Sequence, residues 1–419
     1  MKKNILVDII CIGDELLIGQ TINTNAAWIG REVNKWGMKV RRAISIGDDP
    51  KQIQSEMTES LQKVSIIFIT GGLGPTKDDI TKKTICEFFD DHLIEDTATT
   101  QRVKDFFQSR NLPMLEVNFL QAMVPSQCDV IPNNKGTATG MWIEKEGNIL
   151  VSMPGVPYEM EAMMTETILP KISQRFELPT IFHHTIMTIG VGESFIAQQL
   201  SNIEEEIAAA GIALAYLPSP GLVKLRLSSY GHVDGNSFYT VVKQFSEKIE
   251  TLLGDIVYAQ SDISIQQVVA QLMRENQYTM SIAESCTGGT IQSWITAIEG
   301  ASDFFKGGIT PYHKELKHSI LQIDPEILDS HPIVSEPVAQ AMALAVQRLF
   351  KSDFALATTG YAGPGNDNTD VPVGTICIGL ATPAGVFSKS IQLGKNRERN
   401  IRMASLHALN LLRMSILNK

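Results

Sequence analysis

The sequence predicts an α/β fold in three parts: a parallel-sheet domain, a small α+β module and a second α/β domain. Three observations predict it. Short apolar runs alternate with amphipathic segments of helical period over roughly the first 170 residues. Between about 180 and 258 the order becomes β-α-β-β-α, and from about 263 the alternation resumes. Glycine-rich turns follow two of the apolar runs, at Gly71–Gly74 and at Ala283–Gly289, as they do where a buried strand hands over to a helix.

The elements follow in order. Val7–Ile12 reads as an apolar strand, Asn25–Trp36 as an amphipathic helix, Lys39–Ile46 as a second strand, Pro50–Lys63 as a helix and Ser65–Thr70 as a strongly apolar strand. Met141–Val151 is a hairpin turning at Lys145–Asn148, and a helix over Pro157–Phe176 closes the domain. In the middle module His183–Ile189 is a strand, Glu193–Glu206 a helix and Ile212–Tyr216 a strand. Leu222–Ser229 sets Val223, Leu225 and Leu227 inward against Lys224 and Arg226 outward, and Phe238–Leu253 is a helix. The polar stretch Ala259–Asp262 is the linker. Beyond it Ser264–Asn276 is a helix, Thr279–Ala283 a strand, Gly288–Ile298 a helix and Phe304–Tyr312 a strand. Pro337–Phe350 is a helix, Phe354–Thr359 a strand, Val373–Leu380 with Val386–Leu393 a hairpin, and Arg397–Leu417 the final helix.

Bulk properties narrow the function. With 419 residues, two or three domains are expected, and 43% apolar with 20% charged residues is an ordinary soluble composition. A net charge of −10 argues against a nucleic-acid partner held by bulk electrostatics. No apolar run approaches the roughly 20 residues of a membrane span, and the N-terminus shows no signal-peptide pattern. Five scattered cysteines, with no CxxC pair, indicate neither a disulfide framework nor a zinc site, so a cytoplasmic protein is expected.

The C-terminal domain carries the sharper chemistry. Ser285 lies where the strand Thr279–Ala283 turns into a helix, which exposes its hydroxyl and aims the free N–H groups of the helix at a ligand. Gly288 and Gly289 let the backbone approach closely. Amide hydrolysis needs a nucleophile, a base and donors for the oxyanion. Lys317 and Tyr312 are candidates for handling the proton, and the neighbouring His313 and His318 compete with them. A lysine base must be neutral, and lowering its pKa from about 10.4 to about 7 costs roughly 4.6 kcal/mol, which only desolvation or a nearby cation can supply. Cys286 reads first as a small packed hydrophobe. Thr359 and the loop Gly360–Gly365 close a ligand wall, with Thr359 placed to donate, and arginines in Lys395–Arg402 can grip a phosphate. Against this stands a plainer reading, a helix N-terminus that only binds phosphate.

In the N-terminal domain Ser65–Thr70 ends in Gly71-Gly72-Leu73-Gly74-Pro75-Thr76-Lys77-Asp78-Asp79. Such a loop can cradle phosphate, yet it is neither a Walker loop nor GxGxxG. Asp78 and Asp79, with Asp14 and Glu15 reaching the same crevice, suit a divalent cation between carboxylates and phosphate; equally, Asp78 and Asp79 suit a helix N-terminus.

At these residues the chain resembles the CinA family. Gly13–Gln20 with Asn25, Thr70–Thr81, Gly136–Gly140 and Met153–Pro157 resemble its N-terminal, molybdopterin-binding-like domain. Ala283–Gly289, Thr359–Gly365 and Pro372–Thr375 resemble its C-terminal nicotinamide mononucleotide (NMN) deamidase domain, and the middle module its KH-like domain. The resemblance covers essentially the whole chain and implies divisions at 1–175, 176–260 and 263–419. It implies a deamidase site of Ser285, Tyr312, Lys317 and Thr359, with Glu284, Cys286, Thr287, Gly288, Gly289, Gly360, Ala362, Gly363, Gly365 and Arg397 around the substrate. That reaction needs no cofactor. For the N-terminal domain it implies an ADP-ribose pyrophosphatase with phosphate on Gly71, Gly72, Gly74, Thr76 and Asn25 and a divalent metal ion on Asp78, Asp79 and Glu15. A homodimer that takes small nucleotides, with no nucleic acid or membrane partner, is expected. The alternative is a nucleotide- or pterin-binding partner protein of the competence or damage response that turns nothing over.

Overall fold

The computed structural model describes residues 5–76, 79–178, 181–230, 235–365 and 369–417. Asp78 lies outside them. The chain forms two compact units, one reaching Phe182 and the other holding His183–Ser229 and the chain from Gly235. Among the described residues no helix is long and apolar enough to cross a membrane.

The first unit is built on β1 (Leu6–Ile12), α1 (Thr24–Lys35), β2 (Lys39–Ile46), α2 (Pro50–Leu61) and β3 (Ile66–Thr70). After them come α3 (Thr81–Phe88), α4 (Thr97–Ser109), β4 (Asp129–Ile131), β5 (Gly140–Lys145), β6 (Asn148–Met153), α5 (Pro157–Met163) and α6 (Leu169–Arg175). The sheet order is β2-β1-β3-β6-β5-β4. The first four strands are parallel, while β5 and β4 are antiparallel additions. Every residue of β3 is buried, as expected of a strand covered on both faces. Alternate residues of β1 feed opposite cores: Val7, Ile9 and Cys11 pack with α1 and α5, and Ile10 and Ile12 with α2 and α3. The β5–β6 hairpin turns at Glu146 (φ 52°) and Gly147 (φ 84°), the two left-handed positions of a tight hairpin turn.

One residue of β1 breaks its apolar run. Asp8 is fully buried, and its carboxylate accepts hydrogen bonds from Arg41 Nη2, from Arg42 Nε at 3.0 Å and from Ser60 Oγ at 2.7 Å. Burial alone would raise its pKa, but the bonds from Arg41, Ser60 and Arg42 more than offset that and hold the carboxyl below its ordinary value. Asp8 therefore stabilises the fold above its unfolded pKa of about 4, and that contribution is lost as pH falls through the lower folded value. Asp8→Asn leaves the guanidinium groups without their buried counter-charge and should cost about 3 kcal/mol at neutral pH in urea unfolding. The cost should shrink in acid.

The second unit begins with β7 (Ile181–Ile189), α7 (Glu193–Ala209), β8 (Ala213–Ser219), β9 (Leu222–Tyr230), α8 (Gly235–Leu253) and β10 (Val257–Ala259), in the sheet order β8-β9-β7-β10. It continues with α9 (Ile265–Glu275), β11 (Met280–Glu284), α10 (Thr290–Thr296), β12 (Phe305–Ile309) and α11 (Lys314–Ser319). Last come α12 (Glu336–Phe350), β13 (Phe354–Gly360), β14 (Thr375–Thr382), β15 (Gly385–Gln392) and α13 (Arg397–Leu417). This second sheet runs β12-β11-β13-β14-β15, with β12, β11 and β13 parallel and β14 and β15 antiparallel. On one face α9, α10 and α13 bury Val269, Ile291 and Leu409 against Ile282, Leu356 and Ile378. On the other, α12 packs Met342 and Val346 against Ala283, Ala355 and Ala357. The fit there is close: a Cβ on Gly379 would lie 2.1 Å from the Ala339 carbonyl oxygen. Met187, Ile189 and Tyr258, from the sheet of the middle module, belong to the same core as α9 and α13.

Two boundaries beside Ser285 and Lys317 differ from expectation. The helix expected from Gly288 starts at Thr290, because Gly288 and Gly289 adopt left-handed φ values of 63° and 97°. The strand expected to reach Tyr312 stops at Ile309, and Pro311, which has no N–H to give to a ladder, keeps Tyr312 in the loop beyond.

Candidate active site

Ser285 follows directly on β11. Its N–H donates to the Thr358 carbonyl at 2.9 Å, and the register Ala283–Ala357, Glu284–Thr358 carries it toward Thr359 on β13. The turn is held from within. Glu284 is fully buried, and its carboxylate accepts from the N–H groups of Gly289 (3.0 Å), Ile291 (3.1 Å) and Gln292 (2.8 Å). Glu284 thus caps α10 from within, and the N–H groups of Gly289, Ile291 and Gln292 are spent on it. Thr287 Oγ1 adds a 2.7 Å bond to Thr358 Oγ1. Among the described residues the amides of Cys286 and Thr287 have no hydrogen-bond acceptor.

Lys317, on α11, is only 1% exposed. Its Nζ lies 3.2 Å from Ser285 Oγ, 2.9 Å from the Pro311 carbonyl oxygen and 3.5 Å from that of Tyr312. Burial is the main influence on it and lowers its pKa to about 8, the desolvation that a lysine base requires. The histidines are elsewhere. His313 is exposed beside Glu315, and His318 Nδ1 is bonded to the Ile323 carbonyl. Burial pushes the Cys286 thiol up to about 12, so it stays protonated and packs as a small hydrophobe.

Two further residues sit otherwise than expected. Thr359 is buried beside the register of Ser285, but its hydroxyl donates to the Ile333 carbonyl at 2.8 Å, so its proton is not available to an oxyanion in this arrangement. Tyr312 is 53% exposed, and its phenol accepts from Arg397 Nη2 at 2.9 Å rather than meeting Ser285. Arg397, the first residue of α13, also donates through Nη1 to the Gly363 carbonyl at 3.0 Å. One arginine thus ties Tyr312 to the loop Gly360–Gly365. Within that loop Gly360 has no room for a side chain, since a Cβ would meet the Thr375 carbonyl at 2.8 Å, whereas Gly365 stands in open space. Ala362 is buried, and Gly363 has a left-handed φ of 101°. No carboxylate among the described residues pairs with Lys395, Arg397, Arg399 or Arg402. Asn400, which no motif pointed to, is buried on the same helix.

In the first unit the glycine-rich turn sits at the carboxyl end of β3. Gly71 (φ 111°) passes so close to β1 that a Cβ would lie 2.1 Å from the Ile12 carbonyl oxygen. Gly72 (φ 63°) would put one 2.2 Å from Thr81 Oγ1. Asn25 Nδ2 donates to Thr70 Oγ1 at 3.0 Å and to the Gly155 carbonyl at 2.8 Å. Asn25 Oδ1 and Thr81 Oγ1 are buried without a hydrogen-bond partner. Of the carboxylates expected to hold a metal ion, Asp79 and Glu15 are described. Asp79 accepts from the Thr76 N–H at 2.9 Å and from the Thr76 hydroxyl, and lies against Gly74, so both donors of Thr76 are spent inside the loop. Glu15 folds over Gly13. Among the described residues no three His, Cys, Asp or Glu side chains are grouped to hold a metal ion.

Fold and site define a class: an α/β protein with a molybdopterin-binding-like sheet domain and a buried lysine on a serine at a strand end. Residues 262–416 match the CinA C-terminal domain, 8–174 the "Probable molybdopterin binding domain" and 183–259 the "Damage-inducible protein CinA KH domain". A CinA-like protein of Flavobacterium psychrophilum is 44% identical over 98% of this chain and 98% of its own. One of Cytophaga hutchinsonii is 37% identical over 99% of both. A solved CinA structure from Thermoplasma acidophilum covers 39% of this chain and 96% of its own at 31% identity, with a TM-score of 0.37. The chain belongs to the CinA family.

Proposed function

We propose that the C-terminal part hydrolyses the carboxamide of NMN to nicotinate mononucleotide and ammonia. The observation that carries this is the buried Lys317 Nζ 3.2 Å from Ser285 Oγ. A neutral amine has two hydrogens and one lone pair. The Pro311 and Tyr312 carbonyls take the hydrogens, which turns the lone pair to the serine hydroxyl. Ser285 Oγ attacks the carboxamide carbon as its proton passes to Lys317. The oxyanion is met by the backbone amides after Ser285, those of Cys286 and Thr287, without the Thr359 hydroxyl, which donates to Ile333. Lys317 returns the proton to the departing nitrogen, ammonia leaves, and water cleaves the acyl-serine with Lys317 again taking and giving the proton. The phosphate is held at the start of α13 by Arg397 and its cationic neighbours, since Glu284 has already filled the start of α10. Tyr312, held by Arg397, lines the mouth. These residues need no metal for any step.

Ammonia release from NMN should therefore survive EDTA and disappear in Ser285→Ala with the fold retained on circular dichroism. An active Ser285→Ala protein would remove the nucleophile assigned here. Because Lys317 must be neutral, kcat/KM should rise with pH through about 8 and level off above it. A profile flat between about 6 and 9 would sink the lysine base.

A second reading concerns the first unit. The unpartnered Asn25 Oδ1 and Thr81 Oγ1 at a glycine turn beyond the carboxyl ends of parallel strands favour a nucleotide or pterin in that crevice. A metal-dependent ADP-ribose pyrophosphatase, with a divalent cation on Asp78, Asp79 and Glu15, belongs to this same reading; of those three carboxylates Asp78 lies outside the described residues. ADP-ribose should bind in calorimetry and lose about tenfold in affinity in Asn25→Ala, the loss of one buried hydrogen-bonding group. Equal affinity in the variant would place the ligand elsewhere.

A further inference from the structure

We propose that Asn400 is a positioning residue for the active site, the clamp that sets the Gly360–Gly365 loop and, through it, Arg397 and Tyr312. The proposal rests on the deamidase reading for its kinetic consequence, but not for its geometry. Asn400 is 1% exposed and lies one turn after Arg397 on α13, on the same side of the helix. Its Nδ2 donates to the Ala362 carbonyl at 2.9 Å and to the Gly394 carbonyl at 2.7 Å. Both neighbours are acceptors, so the amide can face them only through its NH2 group, and both of its hydrogens are used.

The consequence comes from the next carbonyl along the loop. Gly363 O accepts from Arg397 Nη1 at 3.0 Å, so the adjacent carbonyls of Ala362 and Gly363 are held by two side chains one helical turn apart. Arg397 Nη2 reaches on to the Tyr312 hydroxyl. The other end of the loop is tied to the sheet, by Tyr361 N–H to the Thr375 carbonyl at 3.0 Å and Gly374 N–H to the Tyr361 carbonyl at 2.7 Å. A Cβ on Gly363 would sit 2.7 Å from the Lys395 carbonyl, so the loop also lies hard against the chain leading into α13. Loop, helix start and Tyr312 form one hydrogen-bonded assembly in which Asn400 is the fully desolvated member. Asparagine is a poor helix former and an expensive residue to bury, and its two bonds are what offset that cost. Releasing it frees the Ala362 carbonyl, lets Gly363 shift and leaves Arg397 without its fixed acceptor. Arg397 grips the substrate phosphate and takes no part in the proton transfers at Ser285, so the loss falls on substrate binding.

The test compares the full-length protein with Asn400→Asp, which keeps the size but has at most one hydrogen for the two carbonyls, and with Asn400→Gln, which keeps the donors on a longer stem. Each is assayed well below its own melting temperature. Asn400→Asp should raise KM for NMN by about tenfold or more with kcat within about threefold, the pattern of lost ground-state binding. Asn400→Gln should recover part of that loss. Hydrogen exchange should speed up in Asn400→Asp at the Tyr361 and Gly374 amides and stay unchanged in β11. A variant that melts earlier but keeps the wild-type KM makes Asn400 a packing residue and overturns the proposal. Unchanged exchange at Tyr361 and Gly374 overturns it as well. If the wild type releases no ammonia from NMN, the deamidase reading fails by itself, and the exchange comparison alone decides the clamp.

Discussion

Everything at the C-terminal site depends on taking one lysine out of water. A lysine in solvent is held as ammonium, which has no lone pair to take a proton, and among the described residues burial, not a neighbouring cation, lowers the pKa of Lys317. Burial in turn requires acceptors, because an amine with no partner in the interior would cost more than the fold can tolerate. Backbone carbonyls meet that need without adding a charge. A carboxylate in their place would raise the lysine's pKa and keep it protonated. Pro311 contributes twice: it ends the strand ladder, and its carbonyl faces the amine. The loop after β12 thus exists to present two carbonyls to α11, and the placement of Tyr312 follows from it.

Glu284 solves the complementary problem. A serine exposed at a strand end needs a rigid turn beneath it, and a short helix start is soft. A carboxylate inside the turn binds three N–H groups at once, so the glycines can take left-handed conformations while the turn stays fixed. It also decides polarity. With one helix start neutralised from within, the cations at the start of α13 are the ones that the deamidase proposal gives to a substrate's phosphate.

Much of this was legible in the residues. Apolar runs placed β1, β3, β11 and β13 to within a residue or two, because strands buried on both faces carry no competing signal; the half-exposed edge strand β2 was placed as well. Ser285 and Lys317 were legible because their motif and their chemistry agree. What sequence could not show were side chains whose role is fixed by the partner they find. Glu284 looked like a ligand contact until its carboxylate met three amides, and Thr359 looked like a donor until Ile333 took its proton. Asn400 carried no signal at all: an asparagine inside a helical pattern reads as a mild propensity cost unless the loop it faces is known. The Thr76–Asp79 bond is likewise a local pairing that residue spacing alone does not reveal.

The shared core of the second unit bears on how this architecture can be taken apart. Met187, Ile189 and Tyr258 are packed with α9 and α13, and Gly221, at the tip of the β8–β9 hairpin, sits where a Cβ would come within 2.8 Å of Met403 Sδ. A cut at the polar linker would divide the polypeptide but not the solvent boundary, leaving a wet, oily scar along α13. Any stand-alone version of the C-terminal fragment must repaint that stripe with polar side chains or cover it with another molecule. In this chain the middle module already serves as that cover.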